Sequence, residues 1–363
     1  MNTIELLQLL ASLSAVVNTA IGFSVSLLTG LVLVNTKHWH GMLSIDSTHG
    51  IQKFHKTSTP RIGGIPILIG MMAVWGNCSS EIKELLTTIL IAGMPAFLFG
   101  TIEDLTKKVG TTARLLATIV SGILAWYISD YSLSRLDIWG LDNLLKFTLF
   151  SVLFTAFSIS GIANAINIID GFNGLAGLTC LFAFTGFALI AYWVQDFNLA
   201  LLSLYISGCI LGFYLINWPL GKLFLGDGGA YFSGFSLAWI SILLIERNNT
   251  VSPFSALLIC IIPITEVLFT IYRRKYKKQA ITQPDRLHFH SLLKRRYFNR
   301  WFPHFSDLAK NSLVGLLIGL MNLIPIMFAV SYYDSTLLCI ETSILIVLCY
   351  IIIYKRMLRH KWF

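Results

Sequence analysis

Residues 145–174 read LKFTLFSVLFTAFSISGIANAINIIDGFNG, with 19 mostly apolar residues from 145 to 163 followed by a polar segment. An apolar run of this length is about that of a membrane-crossing helix. Asn164, Asn167 and Asp170 are spaced by three, so on a helix they form one polar stripe. A helix–helix hydrogen-bonding patch would explain one asparagine but not the set, because buried polar groups need partners or a wet cavity. The stretch therefore predicts a transmembrane helix that ends in a functional site.

The whole chain shares this apolar character. Of its 363 residues, 55% are hydrophobic and only 12% are charged, and the mean hydropathy is +0.72. Soluble globular proteins carry about 25% charged residues, so the composition indicates an integral membrane protein. The six cysteines lie in or beside apolar stretches without a CxxC pair. This pattern is typical of small core residues rather than of disulfides or a zinc site.

Apolar stretches predict an all-α polytopic membrane protein, a single domain over residues 1–363, with about eleven transmembrane helices. Ten is the alternative, because the second stretch is short and the first is long. The first stretch lacks a basic start and a small-residue cleavage site, which favours a retained helix over a signal peptide. The predicted spans are 5–34, 62–77, 85–102, 113–129, 145–163, 174–194, 199–217, 230–245, 253–272, 312–331 and 336–354.

The basic residues predict how these spans are oriented. One set of connections, with the adjoining span ends, holds 23 of the 27 Lys and Arg and all eight His, and the other set holds only Lys83, Arg135, Lys146 and Arg247. Cytoplasmic loops are enriched in Lys and Arg, so we expect a periplasmic N-terminus and a cytoplasmic C-terminus. We then interpret the net charge of +9 as the result of this topology and of contacts with anionic lipid or substrate. It does not indicate nucleic-acid binding, since no such module accompanies it.

The loop before the second predicted span is basic. Residues 46–64 read DSTHGIQKFHKTSTPRIGG and place Lys53, His55 and Arg61 just ahead of a Gly-Gly pair. Helix N-termini and Arg side chains both suit phosphate, so the cluster predicts anion binding. An ordinary basic loop that follows the positive-inside bias explains it about as well.

Two acidic clusters lie at the same predicted membrane face. The sequence GTIEDLTKK at 100–108 places Glu103 and Asp104 at the end of an apolar span, and LFLGDGG at 223–229 holds Asp227 between glycines. Mg²⁺ uses one or two carboxylates together with phosphate oxygens, and glycines let a carboxylate approach a metal or phosphate closely. Simple turns are the alternative interpretation, but the shared membrane face favours a site.

The connection 273–311 is predicted to be a cytoplasmic loop that starts with a basic, lipid-facing run. It carries His288 and His290 in the sequence DRLHFH. Neither a cysteine nor a third histidine adjoins this pair to complete a zinc set, so phosphate or sugar contact is favoured over zinc. In the preceding span, Glu266 lies seven residues before Arg273 and shares its helical face, which suggests a structural pair.

Five segments together resemble one enzyme family. KFHKTSTPRIGG, GTIEDLTKK, NAINIIDGFNGLAGL, LFLGDGGA and DRLHFH occur in the order found in the polyprenyl-phosphate N-acetylhexosamine-1-phosphate transferases. The resemblance covers about residues 40–300, and five ordered motifs in matching loops make it highly specific. It is closer to the bacterial surface-polysaccharide branch, which makes O-antigen, exopolysaccharide or cell-wall polymers, than to the peptidoglycan enzyme.

The resemblance implies an enzyme that transfers a HexNAc-1-phosphate from a UDP-sugar to undecaprenyl phosphate and releases UMP. Mg²⁺ would be its cofactor, with Mn²⁺ as an alternative. The protein would be a multi-pass protein of the bacterial inner membrane with a cytoplasmic active site, and a homodimer is compatible with the family. The donor stays open among the UDP derivatives of GlcNAc, GalNAc, QuiNAc and FucNAc, as does the choice between a one-step and a two-step route.

The resemblance also assigns roles to residues. Asp227 and Asp170 would bind the metal, and Glu103 and Asp104 would position or deprotonate the lipid phosphate. Many members have Asp-Asp at 103–104 and a second Asp at 173, so Asn173 implies polar positioning rather than catalysis. The residues expected to bind substrate are Lys53, His55, Arg61, Asn164, Asn167, Asn173, His288 and His290.

Two other classes of protein fit the sequence less well. A secondary transporter would bind its substrate near the membrane midplane, whereas here the acids of the motifs gather at one edge, although Glu266 lies within a span. A catalytically silent scaffold for polysaccharide assembly would have no need of Asp104, Asp170 and Asp227 together. The sequence therefore favours an enzyme.

Overall fold

The computed structural model describes residues 3–44, 59–278 and 287–359, and the regular elements within these ranges are helices. The helices of the first half are α1 (Thr3–Asn35), α2 (Lys37–Ser44), α3 (Gly64–Asn77), α4 (Ser80–Ala92), α5 (Met94–Thr106), α6 (Thr111–Ser129), α7 (Leu141–Leu145), α8 (Thr148–Ile169) and α9 (Leu175–Trp193). Those of the second half are α10 (Phe197–Asn217), α11 (Gly226–Arg247), α12 (Pro253–Ile259), α13 (Ile261–Tyr276), α14 (Phe289–Leu293), a π-helical turn (Lys294–Phe298), α15 (Asn299–Trp301), α16 (Asp307–Met321), α17 (Leu323–Ser331) and α18 (Thr336–Arg359).

The predicted all-helical membrane fold is confirmed for the described residues. Eight candidate spans among them are long and apolar enough to cross a membrane, and the count reaches ten if two bent pairs are each one span. The pairs are α4 with α5, bent by 43°, and α12 with α13, bent by 76°. The predicted count of eleven is not supported, because the second predicted span is α3. Its 14 residues reach about 21 Å, short of a hydrocarbon core of about 30 Å.

Helix α11 forms the centre of the bundle. All residues in the apolar stretch of α11 are buried, against 22% of those in α1 and 17% of those in α18. Helix α11 packs against α5, α8 and α9. The side chains of Phe232, Phe235 and Trp239 are fully enclosed. Because α11 begins with Gly226-Asp227, the fold places this acidic residue at the N-terminus of its most buried helix, where the helix dipole favours negative charge.

The segments that precede α3 and α11 run side by side. The amide of Phe224 donates to the carbonyl of Pro60 at 2.9 Å, and the amide of Gly63 donates back to Phe224 at 2.8 Å. The amide of Gly64 reaches the carbonyl of Leu225 at 3.1 Å. These bonds bring the basic first-loop motif against the GDGG motif, although they lie some 160 residues apart in sequence.

The start of α11 has no room for side chains at its glycines. Gly226 has a φ of +74°, and a Cβ added there would lie 2.2 Å from the carbonyl oxygen of Arg61. A Cβ on Gly100 of α5 would lie 2.6 Å from the backbone carbon of Asp227. Glycine tolerates both the left-handed conformation and the close approach, so three sequence motifs can meet here through their backbones.

Candidate active site

Asp227 is the centre of a cluster of charged and polar side chains. Its Oδ1 lies 3.3 Å from Nη2 of Arg61 and accepts a hydrogen bond from Nδ2 of Asn167 at 3.1 Å. Its Oδ2 forms an ion pair with Nη1 of Arg114. Two guanidinium groups thus hold one carboxylate that is only 7% exposed. Such a concentration of paired charge, buried at a helix start, is typical of functional sites.

Asp104 lies beside Asp227 and supports the same loop. Its Oδ2 accepts a hydrogen bond from the amide of Gly228 at 2.9 Å, and its Oδ1 lies 3.5 Å from Nε of Arg61. Its neighbour Glu103 turns toward the end of α5, where Oε2 accepts from the amide of Val109 at 2.7 Å. Asp104 therefore joins the cluster, whereas the carboxylate of Glu103 has a local bond that holds the following turn.

Asp170 ends α8 on the same side of the molecule. Burial raises the pKa of its carboxyl to about 8, against the opposing effects of the Arg61 charge and a hydrogen bond from the Gly226 backbone. Asp104 adds a repulsive contribution that raises this pKa further. Asp170, Asp104 and Arg61 are thus close enough to influence one another, as the predicted site requires. A carboxyl in this environment would ionise at neutral pH if a further cation were bound.

The histidine motif meets the turn that follows Asp170. The ring of His290 lies 4.9 Å from that of Phe172, and its Nε2 is 2.9 Å from where a Cβ on Gly171 would be. His288 stacks on His290 with ring centroids 5.4 Å apart, and its Nδ1 lies 2.9 Å from Oε1 of Glu266. The third and fifth motifs therefore converge, and Glu266 is joined to the histidines.

Two of the predicted substrate-binding residues have contacts between helices. Asn164 donates to the carbonyl of Ser160 at 2.8 Å and accepts from Tyr231 at 3.4 Å. Asn173 is buried: its backbone amide donates to Oδ1 of Asn311 on α16 at 2.8 Å, and its Nδ2 donates to the hydroxyl of Ser312 at 3.1 Å. These contacts tie α8 to α11 and the turn after α8 to α16. Of the other predicted residues, Lys53 and His55 lie outside the described part of the chain.

Arg114 is the residue that the sequence motifs did not indicate. It lies in the first turn of α6 and reaches Asp227, 113 positions further along the chain, while its guanidinium carbon lies 5.8 Å from the centre of the Tyr231 ring. The one available signal was a lone cation at a helix start on the basic side, which the positive-inside bias explains equally well. Only the folded contact identifies it as part of the site.

The acidic residues fit a magnesium ion that shares its ligands with substrate. Within the described ranges, no group of three or more His, Cys, Asp or Glu side chains is arranged to hold a metal. Mg²⁺, however, commonly takes only one or two carboxylates and completes its octahedron with phosphate oxygens and water. Asp227, with Asp170 nearby and two arginines available for phosphate, provides such a partial set.

The chain is similar to known membrane transferases. The family model described as glycosyl transferase family 4 matches residues 86–245. The chain is 30% identical over 284 residues to the "probable undecaprenyl-phosphate N-acetylglucosaminyl 1-phosphate transferase" of Bacillus subtilis (strain 168), covering 76% of this chain and 77% of the relative. It is 28% identical over 285 residues to the "undecaprenyl-phosphate alpha-N-acetylglucosaminyl 1-phosphate transferase" of Escherichia coli (strain K12), covering 76% of each.

A peptidoglycan enzyme is also similar. The "phospho-N-acetylmuramoyl-pentapeptide-transferase" of Clostridium perfringens (strain 13 / Type A) is 30% identical over 224 residues, which cover 60% of this chain and 69% of the relative. The matched family region includes Asp104, Asn167, Asp170 and Asp227. The family match and the 30% identity over most of its length show that this chain belongs to glycosyl transferase family 4, together with the undecaprenyl-phosphate sugar-1-phosphate transferases.

Proposed function

We propose that this protein transfers a HexNAc-1-phosphate from a UDP-sugar to undecaprenyl phosphate and releases UMP. The product would be the first lipid-linked intermediate of a surface polysaccharide. The observation that carries the proposal is Asp227, held by Arg61 and Arg114 at the start of the buried helix α11 and next to Asp104. The printed names of the relatives support the same class of acceptor and reaction.

The net reaction exchanges one phosphoric anhydride for another. An oxygen of the lipid phosphate becomes bonded to the phosphorus that carries the sugar, and the bond from that phosphorus to the oxygen bridging to the UMP phosphate breaks. UMP leaves with the bridging oxygen, and the lipid retains a pyrophosphate linked to the sugar. Because both reactants are anions, the enzyme must neutralise charge and align the groups.

The arginines are suited to that neutralisation. Their planar guanidinium groups can bind two phosphate oxygens at once, and both already meet a carboxylate with which phosphate would compete. Asp104 holds the amide of Gly228 and so orients the loop that carries Asp227. In our proposal Asn167, His288 and His290 bind the sugar nucleotide, and Asp104 positions the lipid phosphate.

Asp227 and Asp170 are the proposed ligands of Mg²⁺, with Mn²⁺ as an alternative. A divalent ion bound there would draw charge from the phosphate oxygens and align the two phosphates. Arg61 and Arg114, which contact the same carboxylate, would supply positive charge beside that ion for the phosphates of the substrates. The chain's own contribution is then to present carboxylates at a buried helix start and cations around them.

The proposed site opens to the cytoplasm of a bacterial inner membrane. The split of basic residues supports a periplasmic N-terminus and a cytoplasmic C-terminus, with eleven spans if the short helix α3 also crosses. That orientation would let the nucleotide enter from the cytosol and the lipid from the membrane. A homodimer is part of the proposal only by analogy with the family.

The test is an assay of the purified protein with undecaprenyl phosphate, Mg²⁺ and a panel of UDP-HexNAc donors. We expect UMP release that depends on both the lipid and the metal, with one preferred donor. The absence of UMP with every donor would refute the proposed reaction. Release without the lipid acceptor would instead indicate hydrolysis of the sugar nucleotide.

A further inference from the structure

Glu266 is a buried acid for which the transfer chemistry has no direct use. It lies on α13 with 4% of its surface exposed. Its Oε1 is 2.9 Å from Nδ1 of His288, its Oε2 accepts from the hydroxyl of Tyr350 at 2.5 Å, and the amide of Phe289 lies 3.3 and 3.4 Å from the two oxygens. Burying a carboxylate is costly without such partners, so this site is built to hold one.

The partners of Glu266 determine which nitrogen of His288 carries hydrogen at this contact. An ionised carboxylate only accepts hydrogen bonds, whereas a backbone amide and a tyrosine hydroxyl both donate here. Nδ1 of His288 must therefore donate to Glu266 as well. The other nitrogen, Nε2, is then directed away from the carboxylate and is available to a different partner. A carboxylate bound to one ring nitrogen commonly fixes the orientation of the whole ring.

The two histidine rings carry this orientation to the candidate active site. His288 and His290 are nearly parallel, at 11°, and His290 contacts Phe172 and Gly171 in the turn after Asp170. A change in the tilt of His288 would therefore disturb a ring that touches this turn.

The C-terminal helix α18 supports the same arrangement at a second point. The hydroxyl of Tyr354 donates to the carbonyl of Leu287 at 2.8 Å, directly before His288. The ring of Tyr350 stacks on that of Phe289 at 5.1 Å. Helix α18 and the histidine motif both lie outside residues 86–245, the region that matches the family model, and α18 contacts the motif on both sides of His288.

We propose that Glu266 is a positioning residue that fixes the tautomer and orientation of His288 so that its Nε2 faces the sugar nucleotide, with Tyr350 of α18 holding Glu266 in place. This inference rests on the proposed function, in which His288 and His290 bind the donor. The substitution Glu266→Gln replaces one carboxylate oxygen by an NH₂ group, which donates hydrogen bonds instead of accepting them. The side chain can no longer accept from His288 and Tyr350 at the same time.

The test compares the steady-state kinetics of Glu266→Gln, Tyr350→Phe and His288→Asn with those of the wild type. We expect Glu266→Gln to raise the KM for the UDP-sugar by about 10–100-fold, by analogy with the effect of removing a group that orients a metal-binding histidine. The KM for undecaprenyl phosphate should stay the same. Tyr350→Phe keeps the aromatic ring and should raise the donor KM measurably, but by less than tenfold.

A double variant and a matched control separate positioning from a merely structural role. Glu266→Gln should add little to the loss already caused by His288→Asn, because both substitutions remove the same interaction, that between Glu266 and His288. Glu246→Gln makes the same chemical change in a carboxylate that accepts from the amide and hydroxyl of Ser134 at 2.9 and 2.7 Å. It should leave both KM values unchanged.

The outcomes distinguish the inference from the function on which it rests. Wild-type protein that releases no UMP from any donor would overturn the proposed function and the role given to His288 with it. Active wild type, with an unchanged donor KM in Glu266→Gln or with additive losses in the double variant, would overturn the inference alone. If Glu266→Gln fails to fold, an unchanged donor KM in Tyr350→Phe would also refute it.

Discussion

At the scale of single residues, Arg61 and Arg114 share one carboxylate, although they come from segments 53 positions apart. Arg61 belongs to a conspicuous sequence motif with one proline and two glycines. Arg114 belongs to an ordinary helix start. The acids at 104, 170 and 227 could be predicted as one site because each ends or begins an apolar span. The contacts of Arg114 could not, because no local pattern encodes an ion pair over 113 positions.

Replacing Arg114 tests whether this contact matters for turnover. We expect Arg114→Gln to lower kcat by on the order of 10²–10³, the loss typical of removing one preorganised group that stabilises developing charge. The measurement is UMP release at saturating donor and lipid. Arg300→Gln is the matched control, because Arg300 is exposed on α15, and it should behave as wild type. A kcat for Arg114→Gln within twofold of wild type would remove Arg114 from the proposed mechanism.

The contacts of the asparagines could be predicted from the sequence only in part. The spacing of the asparagines predicted one polar stripe, and Asn167 does reach Asp227. Asn173 instead contacts Asn311 and Ser312 of α16. These partners follow Asn173 by 138 and 139 positions in the sequence. The sequence alone could therefore not show whether Asn173 contacts another helix or binds the substrate. Its predicted part in substrate positioning stays a prediction.

At the scale of elements, the start of α11 depends on a glycine that no other residue can replace. Gly226→Ala would force a side chain into the left-handed region and against the carbonyl of Arg61 at 2.2 Å. Such backbone strain costs about 1–3 kcal/mol, and a shift of Asp227 by about 1 Å can lower the rate by about 10²-fold. We expect a lower melting temperature and a turnover reduced at least 10²-fold.

The control for that variant is Gly161→Ala on α8. A Cβ there meets no atom within 4 Å, and alanine is the better helix former. Activity and melting temperature should therefore stay near wild type. Equal effects of the two substitutions on turnover would contradict the importance of the close contact at Gly226.

The opposite end of α11 offers a test of stability. Asp196 caps α10 through the amide of Leu199 at 3.2 Å and accepts from Nε of Arg247, the last residue of α11, at 2.7 Å. Burial raises the pKa of Asp196, but the hydrogen bonds and charge of Arg247 outweigh it and hold this pKa below the usual range. The ion pair therefore stabilises the fold above the usual aspartate pKa, and the stabilisation is lost as the pH falls through the lowered value.

Replacing Asp196 with asparagine removes the charge but retains a capping side chain. We expect Asp196→Asn to unfold at a lower temperature at pH 7, with a loss of about 0.5–1 kcal/mol. The difference from wild type should narrow as the pH is lowered below about 4. Thermal unfolding in detergent across this pH range is the measurement. A difference that does not change with pH would show that the ion pair is not the cause.

At the scale of the whole molecule, the apolar stretches predicted the helices well, because hydrophobic length is a local property. Each predicted stretch coincides with a described helix or helix pair. The breaks could not be predicted so well. Pro253 starts α12, and the 76° bend between α12 and α13 falls at Cys260. Pro263 explains a break here, because proline lacks an amide hydrogen and its ring clashes with the carbonyl four residues earlier, that of Ile259. The proline indicates a break in the helix but not the size of the bend. Glu266 lies on α13, after that bend, and contacts His288 of the histidine motif.

The proposed orientation is open to a test with reporter fusions. A fluorescent protein fused after residue 363 should fluoresce, because the C-terminus is proposed to be cytoplasmic. Alkaline phosphatase inserted near residue 139, between α6 and α7, should be active, because that connection is proposed to be periplasmic. Inactive phosphatase at 139 together with a dark C-terminal fusion would reverse the orientation and place the acidic cluster on the wrong side for a nucleotide sugar.

The most direct measurement is UMP release from a UDP-HexNAc and undecaprenyl phosphate by the wild type and by Asp227→Asn, purified side by side. Asparagine keeps the size of the side chain but removes the charge that Arg61 and Arg114 meet. We predict turnover by the wild type and a loss of at least 10³-fold in the variant, with the variant still folded by its unfolding temperature. Near-normal turnover by folded Asp227→Asn would contradict the assignment of Asp227 as the centre of the site.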